Sequence, residues 1–309
     1  MLVKQNYFLT LAACLLLAVP LVNAQDRASI NETVTRPVIS EDVSPVEAIA
    51  PVALDGHFGE GFMRTPPGEG PFPAVVIIHG GFARQPTERV RASATSSYAS
   101  RFLEAGYVVA AITYRGRDTD RFSPVSLVDS LAAVDYVRGL PFVDANSVVV
   151  NGCSGGGDLA LQVAAATQIP AIVPEEPATM IMAGLPASRQ EGTEDPDRAL
   201  KLYRAAPDHE KFLGQLARIT APILIVQGDR PDAPLNRFND QVLIPELRAA
   251  GKTVDAKTYP GGHCFATQGR TAAAVRAFED IEAFFRQHIP TAPTPIDSAL
   301  VQHLRLEEN

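Results

Sequence analysis

The sequence predicts an α/β protein: a mostly parallel sheet with helices on both faces and a small cap insertion over one end. Two observations carry this. Short Val- and Ile-rich runs recur at 75–78, 108–113, 148–150, 171–173, 223–226 and 254–258, and runs of that length suit strands buried on both faces of a parallel sheet. Amphipathic stretches fall between them. Leu127, Leu131 and Val134 are spaced four and three apart, while Val275, Phe278, Ile281 and Phe285 put an apolar stripe on a last helix that Pro290 stops. Sheets of this kind bind ligands at the carboxyl ends of their strands, so the loops after these runs are where chemistry is expected.

Around this core the chain divides in order. Residues 1–24 carry Lys4, an apolar run from Tyr7 to Val22 interrupted by Pro20, and then Asn23-Ala24; this is the pattern of a cleaved signal peptide and implies a secreted or periplasmic protein. A lipoprotein reading through Cys14 competes, but the stretch after Cys14 stays apolar where a lipidated chain turns polar. Residues 25–45 are polar and without hydrophobic period, and read as a flexible leader. Residues 46–290 form a single domain, with the cap at about 174–219, where Pro, Glu, Asp and Arg break the rhythm; a solvated surface excursion is the competing reading there. Residues 291–309 are a peripheral tail.

The formal net charge is −8 and becomes −9 without Lys4. That sign disfavours nucleic acid and anionic membrane as partners, and no Lys/Arg cluster reverses it. Of three cysteines, Cys153 and Cys264 survive processing, and an oxidising compartment would let them pair if the fold brings them together.

The run 148–150 leads into Asn151-Gly152-Cys153-Ser154-Gly155-Gly156-Gly157 and a helix-like Leu159-Ala160-Leu161. This matches G-x-S-x-G between strand and helix, where a sharp turn presents a nucleophilic serine. Glycines two before and two after Ser154 are needed because side chains there would collide with the neighbouring strand and helix. The same turn aims the helix N-terminus and the Gly155 amide at an oxygen that becomes negative. A glycine-rich phosphate loop is the alternative, but no G-x-x-x-x-G-K-[ST] is present.

Upstream, His79-Gly80-Gly81-Phe82 ends the run 75–78 and would lend a second oxyanion amide from Gly81 or Phe82, with His79 holding the turn by hydrogen bonds. The base is expected after the last strand, and of six histidines His263 alone has that placement, in Tyr259-Pro260-Gly261-Gly262-His263-Cys264. The orienting acid is expected after the run 223–226, in Gln227-Gly228-Asp229-Arg230-Pro231-Asp232. Asp232 is preferred because Asp232-Ala233-Pro234-Leu235 continues as an acid loop; Asp229 is the alternative, otherwise bracing the turn.

From about Phe72 to His288 the chain resembles the α/β-hydrolase catalytic domain of the prolyl oligopeptidase and dienelactone hydrolase groups. Ala105-Gly106-Tyr107-Val108-Val109, Tyr114-Arg115-Gly116 and Leu140-Pro141-Phe142-Val143-Asp144 carry this beside the elbow. Cys153-Ser154 with His263-Cys264 also resembles the Cys-Ser, Asp, His-Cys arrangement of tannases and feruloyl esterases. That resemblance implies a Cys153–Cys264 disulfide joining nucleophile to base, and the abutting loops of a working Ser154–His263 pair would bring the two cysteines close. The expected activity is hydrolysis of a small-molecule carboxylic ester through an acyl-enzyme, with no metal or organic cofactor, and the cysteine resemblance extends this to aromatic esters of the feruloyl or galloyl type. A prolyl oligopeptidase-like peptidase and a non-catalytic binding protein of the same fold are the rivals.

Overall fold

The computed structural model describes residues 39, 41, 43–116, 124–179, 182–185, 196–206, 209–230 and 234–294. The signal peptide, Cys14 and the leader up to residue 38 lie outside the described residues, as does the tail from 295. Among the described residues no helix is long and apolar enough to cross a membrane.

Eight strands form one sheet: β1 (Glu47–Ile49), β2 (Glu60–Arg64), β3 (Phe72–Ile78), β4 (Val108–Thr113), β5 (Val143–Cys153), β6 (Ile172–Glu175), β7 (Ile223–Gly228) and β8 (Val254–Tyr259). Their spatial order is β1-β2-β4-β3-β5-β6-β7-β8. β1 and β2 are antiparallel to their neighbours, and every pairing from β4 to β8 is parallel. The six expected strands are all present, and β1 and β2 are additional to them. β3, β4, β6 and β7 are buried on both faces, as continuous apolar runs require. β8 differs, with four exposed residues in a row, because it is the sheet's edge.

Successive side chains of a strand leave opposite faces, and the core divides accordingly. Ala74, Val76 and Ile78 of β3 join one cluster and Val75 and Ile77 the other. The second face is covered by α2 (Ser97–Glu104) and α10 (Ala272–His288), where Phe102, Phe278 and Phe285 pack together. The first is covered by α3 (Pro124–Arg138), α4 (Gly155–Ala166), α5 (Pro196–Ala205) and α6 (Glu210–Arg218), then by α7 (Pro234–Phe238), a π turn at Asn239–Leu243 and α8 (Ile244–Ala249). α1 (Thr87–Ala94) lies over β2 and β4, and α9 (Phe265–Gln268) follows β8.

Contacts bear on three of the expected boundaries. The leader is packed by Ile39: the buried Arg64 guanidinium donates to the carbonyls of Ile39 at 2.8 Å and Ser44 at 2.9 Å, and both of those residues are buried. The expected cap at 174–219 begins inside the sheet, at β6, and ends in α6, whose Phe212 and Leu216 sit in the core. The start of the tail is also tied down, through Thr291 N–H donating to Ser147 Oγ at 3.0 Å.

Candidate active site

Ser154 stands between β5 and α4 with φ 54° and ψ −116°. The close packing around the turn explains its glycines. A Cβ on Gly152 would strike the Gly156 carbonyl, and one on Gly156 would strike the carbonyls of Ile78 and His79. The Ser154 amide donates to the Glu175 carbonyl at 2.9 Å, which locks the turn to the end of β6.

The His79-Gly80-Gly81-Phe82 turn lies against this elbow: a Cβ on Gly80 would come 3.4 Å from Ser154 Cβ. His79 Nδ1 donates to the Gly80 carbonyl at 2.8 Å, because a carbonyl only accepts, and Nε2 therefore accepts from Thr113 Oγ1 at 2.9 Å. Burial holds the His79 pKa below its ordinary value, which keeps this neutral form. Tyr114 stacks on His79 and donates its hydroxyl to the Gly81 carbonyl at 2.6 Å. Since N–H and C=O of a trans peptide point in opposite directions, these bonds turn the amides of Gly81 and Phe82 away from His79 and Tyr114. The expected bracing role of His79 is what the geometry displays, and Tyr114, which the sequence offers only as part of the family resemblance, braces the same turn.

His263 follows β8 by four residues, and its Nδ1 lies 2.8 Å from Glu176 Oε2. Its side chain is 44% exposed while that of Glu176 is 1% exposed. The carboxylate found on the histidine comes from the turn after β6, whereas the sequence reading expected an acid from the loop after β7. Asp229 is exposed and accepts from the Gly261 amide at 3.2 Å, so it braces the loop instead. Asp232 lies outside the described residues.

Glu176 is held by four donors. Oε2 also accepts from the Cys264 amide at 2.7 Å, and Oε1 accepts from the Gly228 amide at 2.9 Å and Asn236 Nδ2 at 3.1 Å. Burial pushes its pKa upward, but the hydrogen bonds from His263, Gly228, Cys264 and Asn236 outweigh it, and the carboxyl is held below its ordinary value. Its own backbone has φ 41°, a costly conformation for a non-glycine residue. Among the described residues the non-glycine residues with positive φ are Ser154, Glu176 and Cys264. All three belong to this one site. The sequence does carry a signal for Glu176: two consecutive carboxylates at the carboxyl end of a buried strand, where charge needs a reason.

Cys153 and Cys264 form a disulfide with Cα atoms 5.8 Å apart, closing a separation of 111 residues. The pairing expected from the cysteine pattern is present. The two sulfurs and a His263 ring nitrogen lie within 4.8 Å of one another; bonded together, the sulfurs have no thiolate with which to hold a metal. A cavity of about 410 Å³ opens against the disulfide and Gly80, with Arg89, Ser93 and Thr267 among its walls.

A mostly parallel sheet with its serine on the strand-to-helix elbow and its histidine after the last strand decides the fold. The chain has the α/β-hydrolase fold. Comparison with solved structures agrees. A hyperthermophilic esterase from the archaeon Pyrobaculum calidifontis superposes with a TM-score of 0.59 at 22% identity, covering 81% of this chain and 86% of its own. EstE1, a thermostable carboxylesterase from a metagenomic library, gives a TM-score of 0.61 at 20% identity, covering 84% of this chain and 92% of its own. Esterase Est22 with p-nitrophenol gives 0.59 at 17% identity, covering 80% and 83%. The BD-FAE family model matches residues 63–176, from β2 to the site's glutamate. No curated protein matches the chain.

Proposed function

We propose that the protein is a serine carboxylic ester hydrolase in which Ser154 is the nucleophile, His263 the general base and Glu176 the orienting acid. The observation that carries this reading is the 2.8 Å contact of His263 Nδ1 with a buried, four-donor carboxylate, in a fold whose elbow presents Ser154 nearby. An ionised carboxylate only accepts, so Nδ1 carries the proton and Nε2 keeps its lone pair for the serine hydroxyl. Likeness in fold to several esterases supports the assignment.

In the forward step His263 Nε2 takes the proton of Ser154 Oγ as Oγ bonds to the ester carbonyl carbon. The carbonyl oxygen becomes an anion facing the Gly155 amide and the Gly81 or Phe82 amide. His263 then returns the proton to the leaving alkoxide, the C–O bond breaks, and an acyl-enzyme remains. Water repeats the sequence and releases the acid. Glu176 stabilises the imidazolium without taking its proton.

The match to BD-FAE, a family of bifunctional feruloyl and acetyl-xylan esterases, supports feruloyl or acetyl esters as substrates. The signal pattern at 1–24 and the disulfide support an exported enzyme. Labelling with a fluorophosphonate probe, followed by a panel of acetyl, feruloyl and p-nitrophenyl esters, tests the reading. A Ser154 adduct with ester turnover is expected. Folded protein that forms no adduct would sink it.

A further inference from the structure

Beside Glu176 stands a second buried carboxylate that the reaction as derived does not use. Glu175 is the last residue of β6 and is fully buried. Its Oε1 accepts from the Ala266 amide at 2.6 Å and its Oε2 from the Thr267 amide at 3.2 Å. These are the first amides of α9 after Phe265, and α9 starts one residue beyond the His263-Cys264 pair. Thr267 Oγ1 closes the turn by donating to the Cys264 carbonyl at 2.9 Å. The base loop is therefore held by adjacent carboxylates: Glu176 takes His263 and Cys264, and Glu175 takes Ala266 and Thr267.

We propose that Glu175 is a positioning residue for the ester hydrolysis, fixing the first turn of α9 so that His263 stands where Ser154 can give it a proton. The proposal rests on the esterase reading above. The chain from Ala266 back to His263 is only three peptide links long, and Cys264 between them is clamped by the disulfide and by Glu176. A loop pinned at both ends of so short a span has little freedom to displace its imidazole. Without Glu175, the amides of Ala266 and Thr267 lose their acceptor in a water-poor interior, and the turn shifts to find another.

The charge environment makes this grip sensitive to pH. Burial, with Glu176 beside it adding repulsion, pushes the Glu175 pKa up to about 7 against the hydrogen bonds from Ala266 and Thr267. From α2, Tyr98 and Arg101 face the same region. Tyr98 donates to Asn151 Oδ1 at 3.1 Å and Arg101 donates to the Gly269 carbonyl at 2.7 Å, so both are engaged in holding other parts of the site. Ionised Glu175 grips two amides well; protonated, it grips them less. Protonation of Glu175 should therefore lower turnover by loosening the turn that carries His263, on top of the proton that the base itself must lose.

The test is Glu175→Gln in the full chain, assayed for kcat and KM across pH beside wild type and Ser154→Ala. A misplaced base predicts kcat down by about tenfold to a hundredfold with KM within about twofold. The acid limb of log kcat should have a slope above one in wild type and one in the variant, a change that loss of folded protein alone does not produce. An unchanged slope, or kcat within about twofold of wild type, overturns the proposal. If the Gln variant does not fold, Glu175→Asp is read instead: it keeps the carboxylate, so a slope above one supports the proposal and a slope of one overturns it. An active Ser154→Ala would sink the esterase reading itself, whereas a dead Ser154→Ala beside a normal Glu175→Gln sinks only the positioning role.

Discussion

The elbow after β5 and the turn after β6 do similar things by different means. Each ends one of two paired parallel strands, Cys153 facing Glu175 in the register. Each then forces a non-glycine residue to positive φ, Ser154 at 54° and Glu176 at 41°. At the elbow the demand is steric: the Gly156 carbonyl of α4 leaves no room for a Cβ at Gly152, and the carbonyls of Ile78 and His79 leave none at Gly156. At the β6 turn the demand is for hydrogen bonds, met by the Val226 carbonyl, which accepts from the Glu176 amide at 2.9 Å, and by four donors to the carboxylate. Steric demands restrict residue type and leave a motif. Hydrogen-bond demands can be met by backbone anywhere in the chain and leave none.

The largest expected effect separates the two turns by role. Ser154→Ala should lower kcat by about a millionfold, the scale seen when a nucleophile is removed from a triad, and leave the thermal midpoint nearly unchanged. Glu176→Gln should lower kcat by about ten-thousandfold, since an amide can donate to His263 and stabilise the wrong tautomer. Asp229→Asn should stay within about twofold, because the Asp229 side chain is exposed and accepts from the loop amide of Gly261, a bond that an asparagine oxygen can also accept. Steady-state kinetics on the three variants decides this. A collapse in Asp229→Asn or Asp232→Asn, with Glu176→Gln active, would return the acid to the loop after β7.

What was legible in the sequence follows the same division. The elbow, the His79-Gly80-Gly81 turn, His263 and the cysteine pair all stood at positions where glycine spacing or strand order narrows the choice. Glu176 did not, because the expectation tied the acid to the loop after β7, and Gly228 at the end of that strand donates its amide to Glu176. β1 and β2 were missed for another reason. They are short and contain Gly61 and Arg64, so no apolar run announces them; burial of Arg64 against the carbonyls of Ile39 and Ser44 is visible only once the chain is folded. The same bonds explain why the leader ends earlier than its polar composition suggested.

The disulfide joins the two turns' partners, Cys153 before the nucleophile and Cys264 after the base, and its removal sharpens the comparison further. On the chain-entropy model a bridge across 111 residues contributes about 4 to 5 kcal/mol. The cavity against it gives a small thiol access. Mild reduction should therefore lower kcat before it lowers the folded fraction, because the base loop loses one clamp while the core stays packed. Parallel activity and near-UV circular dichroism measurements against reductant concentration check this. Activity that falls only as the protein unfolds would make the bridge a stabiliser of the whole fold and not of the loop.

The smallest expected effect sets the two neighbouring glutamates against each other in stability. Glu176 is ionised in the fold below its ordinary pKa, so it contributes stability that is present above that value and is lost as pH falls through its folded pKa. Glu175 has the opposite sign. Its pKa rises from 4.5 to about 7, so between those values the folded state keeps a proton that the unfolded chain has released, and stability falls as pH rises through that window. A difference of this size corresponds to about 3 kcal/mol between pH well below 4.5 and pH above 7. Urea unfolding of wild type and Glu175→Gln at pH 5 and pH 8 isolates the contribution, because every other titrating group is common to both proteins. Wild type should lose more stability than the variant over this interval. Parallel pH dependences would mean that Glu175 ionises as freely folded as unfolded, and a carboxylate under no such pressure would have ample water or charge around it, contrary to its full burial at the end of β6.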